Sequence, residues 1–375
     1  MSKVSTARAY IENLLTAADV RIGGSRHHDI TVHDERLFPT VLSGGSLALG
    51  ESYMDGWWDC ARLDEFFFRV LHAGLDQQLH SWSALTAMLK TRLTNPQTAH
   101  RAVRVARQHY DLGNDLFQAM LDRRLIYSGA YWEGADSLEA AQEAKLDLVC
   151  RKLGLREGMR VLDIGCGFGG AAQFAAERYG VEVVGVTISQ EQARLARELC
   201  RGLPVEIRQE GYRSLRGVFD RIFSLGMFEH VGPKNYATFF EVVRRLLREE
   251  DGLFLLQSIG VQAPSRGPDP WLARYIFPNS QLPAAAQVMA AAEERLVMED
   301  WQNLGAHYDN TLLHWHHRLE ENWGRLQHRY DRRFQRMWRY YLLSCAGAFR
   351  ARTNQLWQIV FSPRGVPGGY SAVRS

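Results

Sequence analysis

The spacing of apolar and polar residues changes period several times along this chain, and the changes divide it. Ala7, Tyr10, Ile11, Leu14 and Leu15 recur at helical spacing and predict a helix over 5–17. Residues 20–22 and 30–32 alternate and predict short strands. Residues 43–60 are rich in glycine and aromatics and follow neither period. Helical spacing returns over 63–73 and 82–93, and Thr94-Asn-Pro-Gln97 reads as a linker, because proline ends the helix before it. An arginine-rich helix is predicted over 100–108 and an amphipathic one over 138–153. Between them, residues 125–132 are apolar and aromatic with small residues inside, an odd strand but a good lid or pocket wall.

From residue 161 the alternation becomes regular. Strands are predicted over 161–164, 182–186, 205–208, 220–225 and 253–259, with helices from 171, over 189–200 and over 233–247, the last with Pro233 in its first turn. Strands alternating with helices of this length predict a parallel sheet covered on both faces, an α/β fold. A strand over 296–301, arginine-laden helices through 319–349 and a strand over 356–361 complete the chain.

Composition narrows the classes. The 375 residues are 46% hydrophobic and 23% charged, enough for a sizeable core and for two domains. A net charge of +3 is too weak to indicate nucleic acid and is only permissive for an anionic membrane surface. The five cysteines are scattered without a C-x-x-C pair, which predicts reduced thiols and no structural zinc. The amino terminus lacks an apolar signal region, and no apolar run approaches the ~20 residues that span a bilayer. These features predict a soluble, intracellular protein that binds no metal.

The candidate chemistry centres on Val161-Leu-Asp-Ile-Gly-Cys-Gly-Phe-Gly-Gly170. A strand, a glycine turn and a helix in that order place a ligand at the strand's carboxyl end. The spacing of Gly165, Gly167 and Gly169 is G-x-G-x-G, not the dinucleotide G-x-G-x-x-G. Asp163 ahead of the glycines suits a cationic ligand, and S-adenosylmethionine carries an ammonium and a sulfonium. An ordinary tight turn has the same glycine content. The second strand ends without the acid that commonly takes ribose hydroxyls, leaving Thr187 and Gln192 as the polar groups placed for that task. Glu229 and His230 follow the fourth strand and are candidates for acid–base work, with helix capping by Glu229 as the alternative. Tyr308 sits in a loop-like stretch and, alone, reads as core. Cys345 lies on an apolar helical stretch with no activating histidine or lysine near it in sequence, so it reads as pocket wall.

The chain resembles the cyclopropane-fatty-acyl-phospholipid synthases nearly end to end. The matching segments are Gly50-Glu-Ser-Tyr-Met-Asp-Gly-Trp-Trp58, His109-Tyr-Asp-Leu-Gly-Asn-Asp-Leu-Phe117, the glycine motif, Gly185-Val-Thr-Ile-Ser189, residues 226–236, Tyr275-Ile-Phe-Pro-Asn279 and Cys345-Ala-Gly-Ala-Phe-Arg350. The first belongs to an amino-terminal extension that the mycolic-acid cyclopropane synthases lack. The resemblance implies a Rossmann-like class I S-adenosylmethionine-dependent methyltransferase domain, with a mostly parallel seven-stranded sheet. It places that domain at 138–375, a linker and lid at 95–137, and a small mixed α+β domain for lipid engagement and dimer formation at 1–94. The implied partners are an unsaturated phospholipid in the bilayer and a second copy of the chain. The implied location is cytoplasmic, on the inner face of the membrane.

The implied chemistry begins with attack of an acyl-chain alkene on the sulfonium methyl. The resulting carbocation is stabilised by aromatic faces, and bound bicarbonate removes a methyl proton so that the ring closes in a water-poor pocket. By the same resemblance Glu229, Tyr308 and the backbone of Ile259 hold bicarbonate. Tyr127, Ser128, Gly165, Cys166, Gly167, Thr187, Gln192 and Tyr212 match adenosylmethionine positions, beside Asp163 and Gly169 of the motif. Cys345 matches a cysteine once proposed as catalytic. Two positions depart from the family, Gln257 where histidine is usual and Gly129 where cysteine is usual. Glutamine still donates a hydrogen bond to an anion but carries no charge. These departures leave open a methyl- or methylene-branched product, and a catalytically impaired lipid-binding protein is the alternative from a different class.

Overall fold

The computed structural model describes residues 3–75, 113–264 and 267–375. The helices expected over 82–93 and 100–108 and the linker at 94–97 lie outside the described residues. The chain forms two compact units, and the division is not a single cut. Met1–Asn95, Arg266–Pro278 and Leu312–Asn354 make one, and Pro96–Ser265, Asn279–Thr311 and Gln355–Ser375 the other. Two segments that the sequence reading placed in the methyltransferase domain therefore belong to the unit built on the amino-terminal residues.

The first unit holds helices Lys3–Ala17, Leu37–Met54, Leu63–His72, Pro270–Tyr275 and Arg332–Arg350, with antiparallel strands β1 (Ile30–Val32) and β2 (Trp58–Cys60). The expected strand at 20–22 is only a bridge from Ile22 to Ile30. The glycine-rich stretch that follows no period is helical up to Met54, kinked at Gly45 with φ 57°. Helix Leu63–His72 carries Asp64 and Glu65 in its first turn and Arg69 and His72 in its last, which complements its dipole. Tyr53, Trp58, Phe66, Phe67, Trp271 and Tyr340 form its aromatic core, with neighbouring ring centroids 4.5–5.5 Å apart. Gly50 is needed there, because a Cβ would lie 2.3 Å from the Trp271 ring. The buried Asp64 carboxylate is held by Arg62 at 2.8 Å and Arg350 at 2.9 Å.

The second unit is built on a seven-stranded sheet in the order β5-β4-β3-β6-β7-β9-β8. These strands are β3 (Arg160–Ile164), β4 (Glu182–Thr187), β5 (Val205–Gln209), β6 (Arg221–Leu225), β7 (Leu253–Val261), β8 (Val297–Asn303) and β9 (Asn354–Ser362). The pairs β3–β4, β3–β6, β4–β5 and β6–β7 are parallel, and β8–β9 is antiparallel. The strand order reverses at β3, so ligands are expected at the carboxyl ends of β3 and its neighbours.

Side-chain alternation divides the core between the two faces. Ile222, Phe254 and Phe361 join Phe239 and Phe240 of helix Tyr236–Leu246 on one face. Their strand neighbours Phe223, Leu255 and Val360 join Val149 and Phe174, from helices Leu138–Lys152 and Gly170–Tyr179, on the other. A sheet buried on both faces needs such nearly continuous apolar strands.

Candidate active site

The glycine turn leaves β3 at the switch point. Gly165, Gly167 and Gly169 have φ of 90°, 52° and 88°, in the left-handed region that favours glycine. The N–H groups of Gly165 and Cys166 both donate to the Val186 carbonyl at 3.0 Å, which ties the turn to β4. A Cβ at residue 165 would lie 2.6 Å from that of Met227, whereas one at residue 167 would meet nothing within 4 Å. Packing thus demands the first glycine, and the second opens onto free space. Asp163, opposite Gly185 in β4 and Phe223 in β6, is buried, and its Oδ2 has no hydrogen-bond partner among the described residues. Burial pushes its carboxyl up to about 8, an effect that Lys145 moderates.

Around this turn stand the other residues matched to the methyl donor. Thr187 Oγ1 donates to Gln192 Oε1 at 2.8 Å, and Ser189 caps helix Gln190–Leu199, so the turn of chain after β4 brings Thr187 and Gln192 together. Tyr212 opens a short 3-10 turn with its ring edge-on to Phe239 at 5.3 Å, and its hydroxyl is unpartnered among the described residues. Ser128 is buried. Its Oγ accepts from Lys145 Nζ at 3.1 Å and its carbonyl from Gln142 Nε2 at 2.9 Å. Tyr127 packs edge-on to Phe117 at 5.2 Å. The segment expected as an odd strand at 125–132 has no regular structure, and Leu125 takes a positive φ of 55°.

A second group of residues lies one strand over. Glu229 sits in the 3-10 turn Phe228–His230 after β6. Its Oε1 accepts from the Ile259 N–H at 2.7 Å, completing the edge of β7 beyond the end of β6. Helix Tyr236–Leu246 has Asn235 at its cap, so capping by Glu229 is excluded. Burial pushes the Glu229 carboxyl up to about 7, partly offset by the Ile259 N–H, and Oε2 has no partner among the described residues. Burial pushes His230 down to about 4, so it is neutral near neutral pH. Gln257, two residues before Ile259, is fully buried. Its Oε1 accepts from Gln358 Nε2 at 2.9 Å, while its Nε2 is unpartnered among the described residues.

Tyr308 corrects the loop-like reading, because it lies in the first turn of helix Gly305–Leu326 and is buried. A Cβ on Gly129 would fall 2.9 Å from Tyr308 Cγ and 2.8 Å from Leu356 Cδ2, so the missing side chain is what lets the lid backbone meet that ring. A Cβ on Gly226 would lie 3.7 Å from that of Ser128, which brings the lid to the end of β6. Cys345 is separate from all of these in the chain's division, on helix Arg332–Arg350 of the first unit. Desolvation pushes its thiol up to about 12, which keeps it protonated near neutral pH.

Sequence reasoning missed Lys145, Met227, Thr311 and Gln358. Only the first left a signal, since Gln142 and Lys145 put two polar residues at i, i+3 on the buried side of helix Leu138–Lys152.

Residues 97–359 match the mycolic acid cyclopropane synthetase family. The chain belongs to this family. Its relatives include the Escherichia coli (strain K12) cyclopropane-fatty-acyl-phospholipid synthase, 54% identical over 362 residues that cover 96% of this chain and 94% of that protein. The tuberculostearic acid methyltransferase of Mycobacterium tuberculosis (strain H37Rv) is 31% identical over 86% of this chain and 80% of that protein. A mycolic acid cyclopropane synthase solved with SAH and CTAB superposes with a TM-score of 0.65 at 32% identity, over 69% of this chain and 97% of its own. The fold is that of a class I S-adenosylmethionine-dependent methyltransferase, and the family member described here is an enzyme of that class.

Proposed function

We propose that this enzyme transfers the methyl carbon of S-adenosylmethionine to the cis double bond of an unsaturated acyl chain in a membrane phospholipid and closes a cyclopropane ring. The observation that carries the reading is the span of the match, since the E. coli phospholipid synthase aligns with 96% of this chain whereas the mycolic acid synthase structure covers 69%. The amino-terminal residues are thus shared with a relative named for phospholipid. We assign them to lipid engagement and dimer formation, with the enzyme peripheral to the inner face of the membrane. No helix among the described residues is long and apolar enough to cross one.

In this reading the cationic donor is held at the open side of Gly167 by Asp163, the Ser128 segment, Thr187 with Gln192, and Tyr212. The Asp163 Oδ2, buried and without a partner among the described residues, offers such a ligand a free lone pair. The alkene attacks the sulfonium methyl, and the positive charge passes to the acyl carbon as the thioether leaves. Tyr308 and Tyr127 offer ring faces for that charge.

The residues present also fit a bicarbonate ion. Among the described residues Glu229 Oε2 is a buried acceptor without a partner, and Gln257 Nε2 a buried donor without one. Bicarbonate has one O–H for the first and acceptor oxygens for the second. An anion lacking a proton would instead set its charge against the Glu229 carboxylate. When bound there it would supply the base that takes the methyl proton. Glu229 orients it, and Gln358 holds the Gln257 amide so that its N–H₂ is free to donate.

The test is incubation of the purified protein with unsaturated phospholipid vesicles and adenosylmethionine, with and without bicarbonate, followed by mass spectrometry and NMR of the acyl chains. High-field ring protons that diminish when bicarbonate is removed are expected. A vinylic or saturated branch favours the second reading, C-methylation without ring closure. That reading is motivated by the uncharged Gln257 and by the relative named a tuberculostearic acid methyltransferase.

A further inference from the structure

Thr311 has no place in the chemistry above, yet its hydroxyl makes three hydrogen bonds beside the lid. It is completely buried. Its Oγ1 accepts from the Ala130 N–H and from Trp132 Nε1, each at 3.0 Å, and donates to the His307 carbonyl at 3.0 Å. One turn earlier on the same helix, His307 Nδ1 accepts from the Trp132 N–H at 3.1 Å, and its ring lies 4.9 Å from that of Tyr131. Three consecutive lid residues are thus fastened to one helical turn, and Tyr308 lies on that turn beside the backbone of Gly129.

The segment has no secondary structure of its own. Its backbone is also held by Asp122 Oδ1 at the Ile126 N–H, by Gln142 at the Ser128 carbonyl and by the Ala141 carbonyl at the Tyr131 N–H. The bonds to Thr311 and His307 are the ones that tie it to the turn carrying Tyr308. A hydroxyl that both donates and accepts does this; an isosteric apolar side chain cannot. His307 accepts only with Nδ1 unprotonated, and burial lowers its pKa in the sense that keeps it neutral.

We propose that Thr311 is a positioning residue which, with His307, clamps the lid onto the Tyr308 turn and thereby keeps water from the carbocation. This rests on the methyl-transfer reading above. If the clamp loosens, water competes with loss of the methyl proton. Its oxygen bonds to the cationic carbon, one of its protons leaves to solvent, and the product is a methyl-branched chain with a neighbouring hydroxyl.

The test compares full-length Thr311→Val, Thr311→Ser and Trp132→Phe with the unmodified chain on unsaturated phospholipid vesicles, scoring ring and hydroxylated acyl chains and measuring adenosylmethionine affinity. Thr311→Val is expected to keep that affinity within about threefold, lose about tenfold in kcat and raise the hydroxylated share, with Thr311→Ser restoring most of both. Trp132→Phe removes one donor and retains the bulk, so it should give a smaller effect in the same direction even if Thr311→Val folds poorly. In the double variant it should add nothing to Thr311→Val. Unchanged product shares in Thr311→Val and Trp132→Phe overturn the clamp, as does Thr311→Ser as impaired as Thr311→Val. Failure of the unmodified chain to methylate acyl chains would instead overturn the reading beneath it.

Discussion

At the residue scale the decisive groups are small in number and buried. Glu229 combines a short bond from the Ile259 N–H with a second oxygen that is unpartnered among the described residues. Glu229→Gln keeps the shape but replaces an acceptor with a donor. It is expected to lower turnover by at least about a thousandfold while leaving adenosylmethionine affinity within about threefold. Loss of cofactor binding would show that Glu229 has another task. Because burial raises this carboxyl to about 7, the acceptor form is gained as pH rises through that value, so kcat should climb with an inflection near there. A flat profile from pH 6 to 8 would contradict it. Gly129 makes the opposite kind of demand. A Cβ there must displace the Tyr308 ring or Leu356, so Gly129→Ala is expected to cost about 1–3 kcal/mol of stability and to lower kcat with it, read by thermal melting and vesicle turnover.

At the scale of elements, helix Leu138–Lys152 does more than cover the sheet. It sends Lys145 into the interior, where Nζ donates to Ser128 and the charge faces Asp122 and Asp163. One ammonium thus links the lid, the carboxylate before the glycine turn and the loop following helix Asn114–Met120. Removing one partner of a buried charge cluster leaves the others uncompensated. Lys145→Met should therefore weaken adenosylmethionine binding about tenfold, through a displaced Ser128 and an Asp163 carboxyl that is pushed still higher and is harder to ionise against the cationic ligand. Calorimetry would reveal it, and unchanged affinity would mean that Ser128 is positioned by the Gln142 bond alone.

For the whole molecule, the same buried acids make stability depend on pH. Glu229 and Asp163 have folded pKa values raised to about 7 and about 8, so their contribution is full at low pH and is lost as pH rises through those values. His230 and His316 are lowered to about 4 and act in the opposite sense, but only below their ordinary value of 6.5. Between pH 6.5 and 8 the acids act without that opposition. Unfolding free energy should fall there by on the order of 1–2 kcal/mol, and Asp163→Asn should flatten the slope. Denaturant titrations at the two pH values check this, and a rise would show that Asp163 is already ionised in the free enzyme.

Much of this was legible in the chain. Apolar strands alternating with amphipathic helices determined an α/β sheet buried on both faces, because only apolar strands fill both sides of such a sheet. Asp163, Gly165, Gly167 and Gly169 marked the candidate donor turn because the turn is local and the φ values of its glycines admit few other residues. Thr187 and Gln192 meet for the same reason, being five residues apart across a capped turn. Glu229 and Tyr308 were nameable through resemblance. Their environments were not, because the Ile259 N–H at the Glu229 carboxylate, the Gln281 N–H at the Glu229 carbonyl and Gly129 at the Tyr308 ring reach them from distant parts of the chain. Only the tertiary structure decided that Tyr308 rides a helix, that Cys345 belongs with the amino-terminal unit, and that Gln358, Lys145 and Thr311 matter. Each of these three acts by satisfying a buried polar group far away in sequence, and sequence periodicity reports burial without reporting the partner.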